Sequence, residues 1–584
     1  MAQPLAAPQT EPPSRLEANL AKLDKLEALA EDYQQALVRH RANRMVCLAL
    51  KAWQNGNAPR SAKLALEATK LDEENAKAYH VLGTALQRMG FRYKALVTYE
   101  RAYRLDPTDA DLLIDLGLAA WQMKMGDMAQ KMSRMYIAAK PESPVGYNNL
   151  GAIQAEMGNV PEAIETLRGA LLRMPKEAIL WHSLATILAE DGRVEESLVF
   201  YREAIALDPV APSYVHNLGY AYLHLGMLPE ALDCYEKAVK LLREPHDRAE
   251  ARHSRSICLI GMGRLEYGFA EYEGRNDPLF RAHVPHIIPA PRWQGEALDG
   301  KRLVVVGEQG LGDEIMFAST LPDLQQAVGP QGKLFVAVDN RLEPLFSRSF
   351  PDATVGTSED RIHYDADGNQ IFRFVPFAER EGALDYYITI GSVPRFLRRR
   401  IEDFPRQAYL KPDPERVARY REMLRAGGPG PVVGICWRSM KLDLKRAKYY
   451  SPLEMWGPIL KTPGVRFVNL QYGECAEELS RSAAHNGVSV DVIDGLDLKN
   501  DIDGLAALAA AVDLVISAPT ASAAVAGSVG TEVWFLAAGR TWPQLGTDHY
   551  PWYPKTRGFH PARFGDWNAL IPQVAEELSV FARK

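Results

Sequence analysis

Asp313 lies in a glycine-rich turn of LVVVGEQGLGDEIMFASTLPDL (303–324), between an apolar, β-branched run and a helical pattern. Strand ends in open α/β sheets present ligands, so we expect this carboxylate to face a bound substrate. Gly310 and Gly312 share the turn and are further candidates for ligand contact. The turn matches neither the dinucleotide-binding G-x-G-x-x-G nor a P-loop, which needs Gly-Lys-Ser/Thr. Helix capping alone is the alternative, because Asp is favoured at helix N-termini.

A basic loop offers charges that suit a phosphate. The loop RSMKLDLKRAK (438–448) directly follows a predicted strand and carries Arg438 and Lys441 among five cations and one acid. Such side chains can neutralise phosphate, and a solvated basic loop is the alternative. Gln471, near the end of the run VRFVNLQY, could lie at the edge of a base or ribose.

A second candidate anion site is the segment SAPTASAAVAG (517–527), which places Thr520 and Ser522 at a predicted helix start. Backbone N–H groups and hydroxyls at a helix start can face an anion, and an ordinary N-cap is the alternative. The sequence contains no H-E-x-x-H helix and no G-x-S-x-G elbow. We therefore expect no metal site, no serine nucleophile and no cofactor.

These candidates require sheets that bring strand ends together. Short apolar β runs alternate with helical segments in the second half of the chain, which predicts two α/β lobes with mostly parallel sheets and a cleft between them. We expect the lobes at 301–415 and 416–584. A connector rich in Pro and aromatic residues precedes them at 276–300.

The first half of the chain is repetitive. A leucine followed by a small residue recurs every 34 positions, at Leu48, Leu82, Leu116, Leu150, Leu184 and Leu218. Periods of this length are typical of stacked helical pairs, in which Gly or Ala lets two helices approach closely. We expect such an array over 42–275, with a degenerate last pair at 251–275 acting as a cap.

The leader (1–41) contains an amphipathic helical pattern. Apolar residues step by three or four at Leu16, Leu20, Leu23, Leu26, Leu29, Tyr33 and Leu37. This stripe predicts an extra helix that packs on the first repeat. Coiled-coil pairing with a partner or a second copy is the alternative.

The array also offers candidates for protein binding. The polar residues that directly precede the leucine of the repeated leucine and small-residue pair are expected on the inner surface, where arrays of this kind bind peptides: Asp115, Asn149, Ser183 and Asn217. An Asn amide can both donate to and accept from a peptide backbone. Solvated polar positions without a partner are the alternative.

Composition excludes several classes of protein. The 584 residues carry a formal charge of -6, which argues against binding mainly to nucleic acid or anionic lipid. The five cysteines are scattered without a C-x-x-C pair, so neither a disulfide framework nor a zinc cage is predicted. The start MAQPLAAPQTEPPSR has no signal-peptide pattern, and no uninterrupted apolar stretch suits a membrane span. We expect a soluble, cytoplasmic protein.

Two family resemblances follow from these motifs. The 34-residue units resemble the tetratricopeptide repeat. The blocks LVVVGEQGLGDEIMFASTLPDL, GICWRS, FVNLQYGE, DLVISAPTASAAVAG and WYP (552–554) resemble the module of GT-B glycosyltransferases related to bacterial heptosyltransferases. The resemblance implies an all-α TPR solenoid followed by an α/β GT-B glycosyltransferase with two Rossmann-like lobes. The family's catalytic Asp falls on Asp313.

The combined architecture is most similar to flagellin glycosyltransferases. That resemblance implies that the repeats dock flagellin or another protein acceptor. It also implies that the lobes transfer a nonulosonic acid, such as pseudaminic acid, from a CMP-sugar to Ser or Thr. Asp313 would then take the hydroxyl proton, while Gly310, Gly312, Arg438, Lys441, Gln471, Thr520 and Ser522 would contact the donor.

Two alternatives stay open at this point. A UDP-sugar protein transferase resembling O-linked N-acetylglucosamine transferases has a similar fusion of repeats and GT-B lobes. A catalytically inactive adaptor would use the repeats alone.

Overall fold

The structure is a computed structural model that describes residues 15–365, 368–440 and 444–583. The described residues up to Thr166 form one compact unit, and most of those from Leu167 onward form a second. Each unit is described by itself below.

The chain is helical from Arg15 to Tyr272. The helices are α1 (Arg15–Gln54), α2 (Ala58–Leu71), α3 (Ala76–Arg88), α4 (Arg92–Leu105), α5 (Ala110–Gln122), α6 (Gly126–Ala139), α7 (Pro144–Glu156), α8 (Val160–Arg173), α9 (Ala178–Glu190), α10 (Val194–Leu207), α11 (Pro212–His224), α12 (Leu228–Leu241), α13 (Pro245–Gly261) and α14 (Leu265–Tyr272). From α3 to α11, every second helix begins 34 residues after the previous one, at Ala76, Ala110, Pro144, Ala178 and Pro212. The predicted array of helical pairs is therefore confirmed.

The leader differs from the sequence-based expectation. It does not form a separate helix packed on the first repeat, because α1 runs without a break through the predicted boundary at 41/42. Its apolar stripe is exposed to solvent, at Leu20, Leu23, Leu26, Leu29, Tyr33 and Leu37. The side chain of Leu16 lies outside the described residues. The first repeat thus begins within a 40-residue helix.

Small residues set the helix contacts within each unit. In the first unit, a methyl group at Gly83 would lie 2.6 Å from the ring of Tyr99, so only glycine fits between these helices. In the second unit, a methyl group at Gly219 would lie 3.0 Å from Cβ of Cys234. The alanines of the repeat pattern are fully buried, as at Ala204. These contacts explain the small-residue pattern.

The turns of the last repeats pack against the α/β region inside the second unit. Gly192, Gly226 and Gly263 have φ values of +89°, +72° and +76°, which favour glycine. A methyl group at Gly192 would lie 3.6 Å from Cβ of Lys448. At Gly263 it would lie 3.1 Å from the Leu545 carbonyl oxygen. The recurring glycines therefore form both the helix turns and part of this contact surface.

Replacing Gly263 with alanine should destabilise the second unit. The left-handed backbone alone costs an L-residue about 1 to 2 kcal/mol of unfolding free energy, and the contact with Leu545 adds to that loss. Gly487→Ala is the matched control, because its φ is +71° and no atom lies within 4 Å of the added methyl group. Denaturant unfolding of both variants measures the difference, and equal losses would show that the Leu545 contact contributes nothing.

The α/β region contains two parallel sheets. The strands are β1 (Arg302–Val306), β2 (Lys333–Val338), β3 (Thr354–Thr357), β4 (Glu359–Asp365), β5 (Gly368–Phe374), β6 (Tyr386–Thr389), β7 (Val432–Cys436), β8 (Arg466–Asn469), β9 (Leu514–Ser517), β10 (Val533–Leu536) and β11 (Thr556–Phe559). The first sheet has the order β3-β2-β1-β6 and the second β11-β10-β9-β7-β8, while β4 pairs with β5. All neighbouring strands within the first two sheets run parallel. This confirms the predicted α/β region with parallel sheets, while the lobe boundaries at 301–415 and 416–584 stay predictions.

The sheets are covered by helices, as parallel sheets require. These are α15 (Leu311–Phe317), α16 (Leu321–Val328), α17 (Glu343–Ser349), α18 (Pro376–Glu379), α19 (Pro394–Leu397), α20 (Pro414–Ala426), α21 (Leu444–Ala447), α22 (Gly457–Leu460), α23 (Ala476–Asn486), α24 (Ile502–Ala511), α25 (Ala521–Ser528) and α26 (Trp567–Phe581). β1 leads through the glycine-rich turn into α15, whose first helical turn carries Asp313, and β9 leads into α25. The two strand-turn-helix units singled out in the sequence therefore form as predicted.

Candidate functional site

Asp313 lies in the first turn of α15, at the carboxyl end of β1. Its Oδ2 accepts a hydrogen bond from the Gly310 N–H at 3.2 Å, so the residue does contribute to the start of the helix. Burial raises the pKa of Asp313 to about 6, the Gly310 N–H partly offsets that effect, and the charge of Glu308 adds to it. A half-buried carboxylate with this pKa is mostly ionised at neutral pH and can accept a proton.

The carboxylate opens into a cavity of about 730 Å³ between the two sheets. The cavity brings together four of the sequence-predicted residues: Gly310, Gly312, Asp313 and Thr520. A methyl group at Gly312 would lie 3.7 Å from Cα of Ala521, so α15 and α25 begin side by side. The small residues of the two motifs therefore create this approach.

The other two carboxylates of the turn have structural partners. Glu314 is buried and accepts a hydrogen bond from the Asp339 N–H at 2.9 Å, while burial raises its pKa to about 7. Glu308 pairs with Arg275 and accepts from the Gly391 N–H at 2.9 Å. Burial tends to raise the pKa of Glu308, but Arg275 holds it below its ordinary value. Neither carboxylate lines the cavity, so Asp313 is the acidic residue of the turn that a ligand there would meet.

The predicted helix start at 520 is present, and its two hydroxyls differ in role. Thr520 lines the cavity as the N-cap residue of α25. Ser522 is fully buried, and its hydroxyl donates to the Leu470 carbonyl oxygen at 2.9 Å. Ser522 therefore ties α25 to the end of β8 and does not present its hydroxyl to the cavity.

The basic loop is used differently from the sequence-based expectation. Arg438 forms a buried, bidentate ion pair with Glu478 and donates to the Glu474 carbonyl oxygen at 2.8 Å, so its charge is already neutralised. Lys448 donates to the Ala189 carbonyl oxygen at 2.7 Å, so its ammonium group is hydrogen-bonded to the repeat helix α9. Lys441 lies outside the described residues.

Gln471 supports the backbone of this loop. It is buried, and its Oε1 accepts from the N–H groups of Trp437 and Arg438 at 3.1 and 3.0 Å. Its Nε2 donates to the Tyr472 carbonyl oxygen at 3.0 Å. The amide that was expected at the edge of a base is thus engaged inside the protein, although Gln471 lines a second cavity of about 790 Å³.

Of the three described cations that line the first cavity, Arg341 and Lys499 were missed as candidates, whereas Arg446 belongs to the predicted basic loop. Arg341 follows β2 by three residues, Arg446 lies in the basic loop, and Lys499 precedes α24. Arg341 is paired with Asp339 through two hydrogen bonds of 2.8 Å. The rule that located Asp313, proximity to the carboxyl end of a parallel strand, would also have found Arg341. Lys499 and Tyr472 line both cavities, so the two share a boundary.

The candidate acceptor residues of the first unit are bonded to neighbours. Asp115 accepts from His80 Nε2 at 2.9 Å, and this contact joins consecutive repeats. Asn149 is half-buried and accepts from the Asn148 amide at 3.2 Å. The Asp115 carboxylate therefore also stabilises the stack of repeats.

In the second unit the same pattern recurs. The Asn217 amide bonds to His182 Nε2 at 2.9 Å, again between consecutive repeats. Burial lowers the pKa of His182 to about 4, so the neutral ring can accept this bond. Ser183 donates to the Ile179 carbonyl oxygen at 2.8 Å within its own helix. Sequence periodicity placed these positions together but did not show the histidine partners.

Two kinds of feature are absent from the described residues. No described helix combines the length and the apolar character needed to cross a bilayer. Within the same residues, no group of three or more His, Cys, Asp or Glu side chains is arranged to hold a metal ion.

Known proteins match both the repeats and the full chain. The tetratricopeptide repeat family matches residues 76–109, 149–212 and 216–244, which confirms the repeat type. A thermophilic TPR protein in Thermus thermophilus is 23% identical and covers 31% of this chain and 98% of its own, with a TM-score of 0.28. A tetratricopeptide repeat protein from Parabacteroides merdae is 14% identical, and the match covers 40% of this chain and 91% of that protein, with a TM-score of 0.35.

One relative that matches nearly the full chain is a protein of Caulobacter vibrioides. Protein FlbA of that organism is 40% identical over 567 residues, which cover 97% of this chain and 94% of FlbA. The similarity thus extends over nearly the whole length of both proteins. The chain belongs to the family of protein FlbA.

Proposed function

We propose that this protein is a glycosyltransferase of the GT-B class that modifies Ser or Thr hydroxyls of a protein. Its donor is a CMP-activated nonulosonic acid of the pseudaminic type, and its acceptor is flagellin or another protein docked on the repeats, in the cytoplasm. The observation that carries the proposal is the Asp313 carboxylate, which opens into a cavity between two parallel-sheet lobes.

The chemistry of the cavity suits a direct displacement. The acceptor hydroxyl attacks the anomeric carbon, its proton passes to the Asp313 carboxylate, and the bond from that carbon to the CMP phosphate oxygen breaks. A half-buried carboxylate with a pKa of about 6 is ionised at neutral pH and is more basic than an ordinary Asp. A proton acceptor is needed because a hydroxyl is a poor nucleophile at this pH.

The departing phosphate needs positive groups nearby. Arg446 and Lys499 line the cavity, and the N-terminus of α25 begins there at Thr520. These groups would stabilise the developing negative charge more in the transition state than in the ground state. They replace Arg438 in this role, since Glu478 already neutralises that guanidinium. The adjoining second cavity gives the nucleoside of the donor a place to extend.

The decisive experiment compares donors with the purified full-length protein. Flagellin is incubated with a CMP-nonulosonic acid or with a UDP-sugar, and the nucleotide released and the mass of the acceptor are measured. Release of CMP with a matching increase in acceptor mass is the expected result. Release of UDP would identify the rival transferase class, and acceptor binding without transfer from either donor would identify an adaptor.

A further inference from the structure

A histidine and tyrosine pair recurs along the repeats and acquires a new contact in the last one. In four helical pairs, a histidine of the pair's first helix packs against a tyrosine nineteen residues later in its second helix. These contacts are His80–Tyr99, His182–Tyr201, His216–Tyr235 and His253–Tyr272. The Tyr201 hydroxyl donates to Thr186 Oγ1 at 3.2 Å, inside its own repeat. The Tyr272 hydroxyl instead accepts from Gln309 Nε2 at 2.6 Å. The last pair therefore reaches the turn that precedes α15.

The turn needs an external support. Gln309 has a φ of +69°, which is costly for any residue other than glycine. It immediately precedes Gly310, whose N–H binds the Asp313 carboxylate. A strained backbone persists when its surroundings hold it in place. A change in the geometry of Gln309 would therefore be transmitted directly to Asp313.

The end of the repeat array provides that support from two sides. Arg275 lies over the ring of Tyr272, 4.4 Å from its centre, and pairs with Glu308, which precedes Gln309. Arg275 also donates to Ser392 Oγ at 2.8 Å. Tyr272 is only 2% exposed, so its hydroxyl has a fixed position. Two neighbouring residues of the turn are thus held by the end of the array: Arg275 pairs with Glu308, and Tyr272 is hydrogen-bonded to Gln309.

We propose that Tyr272 of the last repeat is a positioning residue, which holds Gln309 and through it sets the orientation of the Asp313 carboxylate. This inference rests on the proposed function where it concerns catalysis. It makes the end of the repeat array part of the catalytic apparatus in addition to any role in acceptor docking. The α/β lobes alone would therefore contain every catalytic residue but would hold the turn less firmly.

Tyr272→Phe tests the proposal in the full-length protein, because it removes one hydroxyl and keeps the ring. We expect kcat for sugar transfer to fall about tenfold with a smaller change in the donor KM, since a loosened turn misplaces the base while Arg446, Lys499 and Thr520, which face the donor phosphate, lie outside that turn. The acid limb of the kcat profile should move to lower pH, because a looser turn admits water to Asp313. Tyr201→Phe is the matched control and should behave as the wild type.

Hydrogen exchange provides a readout that does not depend on transfer. Peptides covering residues 307–318 should exchange faster in Tyr272→Phe than in Tyr201→Phe. If the wild type transfers no sugar, the proposed function fails, while the exchange comparison still decides the positioning role. If Tyr272→Phe does not fold, Gln309→Ala removes the same bond, keeps the backbone cost of the positive φ and should also speed exchange. Unchanged exchange over 307–318 in the folded variants would overturn the proposal.

Discussion

Replacing Asp313 with asparagine is expected to reduce sugar transfer by about a thousandfold, because general-base catalysis contributes between a hundredfold and ten-thousandfold. Asparagine retains an oxygen that can accept from the Gly310 N–H, so the start of α15 should persist. Acceptor modification, followed by mass spectrometry, measures the loss. Near-normal transfer by this variant would exclude Asp313 as the base.

Asp566→Asn is the matched control for this substitution. Asp566 also supports a helix start, by accepting from the Ala569 N–H at 3.2 Å, but it lies at α26. The control should transfer sugar at the wild-type rate. A loss in both variants would indicate that helix capping, not proton transfer, explains the effect of Asp313→Asn.

The pH dependence gives a second test of the same residue. Since burial raises the pKa of Asp313 to about 6, transfer by the wild type should rise as pH increases through about 6 and then level off. Because a raised carboxylate pKa means that the folded state binds protons more tightly, ionised Asp313 disfavours folding above that pKa. The asparagine variant should therefore lose the acid limb and unfold at a higher temperature than the wild type at neutral pH.

Local patterns in the sequence were sufficient to predict the elements of the fold. The 34-residue period predicted the helix pairs, and β-branched runs before glycine-rich turns predicted β1 and β9 with the helices after them. These signals are local because helix and strand formation depend on residues close in sequence. Asp313 was located for the same reason, since the turn that presents it is continuous in the chain.

The roles of side chains depended on contacts that the local patterns do not contain. Arg438 was expected to neutralise a phosphate, but Glu478, forty residues later, already pairs with it. Gln471 was expected near a base, yet it holds the N–H groups of Trp437 and Arg438. A charge or an amide in a loop cannot be assigned to a ligand until its distant partners are known.

The exposed apolar face of α1 is another difference between the sequence-based expectation and the structure. Its periodic leucines predicted burial, and the periodicity correctly predicted a helix. The structure leaves those leucines exposed because the helix continues straight into the first repeat instead of turning back on it. Periodicity therefore determines which residues share one face of a helix, whereas the connection to the next element determines whether that face is covered.

Replacing Arg275 with methionine is expected to lower the unfolding free energy of the second unit by about 3 to 5 kcal/mol, because removing one partner leaves a buried charge uncompensated. Glu308 would lose its ion pair while retaining the Gly391 N–H. Denaturant unfolding measures the loss. A change below about 1 kcal/mol, as is typical of exposed ion pairs, would contradict a buried role for this pair.

The double variant Arg275→Met with Glu308→Gln separates the pair from general packing damage. It should recover part of the stability, because a neutral amide no longer leaves a charge buried.

The pH dependence of the unfolding free energy has a defined sign. In the wild type Arg275 keeps the Glu308 pKa below its ordinary value, so the stabilisation is present above that ordinary value and is lost as pH falls through the depressed pKa. In Arg275→Met, burial alone raises the Glu308 pKa, so the variant weakens as pH rises. The stability gap between the wild type and Arg275→Met should therefore widen from acidic to neutral pH. The double variant has no carboxylate at position 308, so it should not show the loss of stability that Arg275→Met shows as pH rises. A gap independent of pH would assign the loss to packing around Tyr272, not to the ion pair.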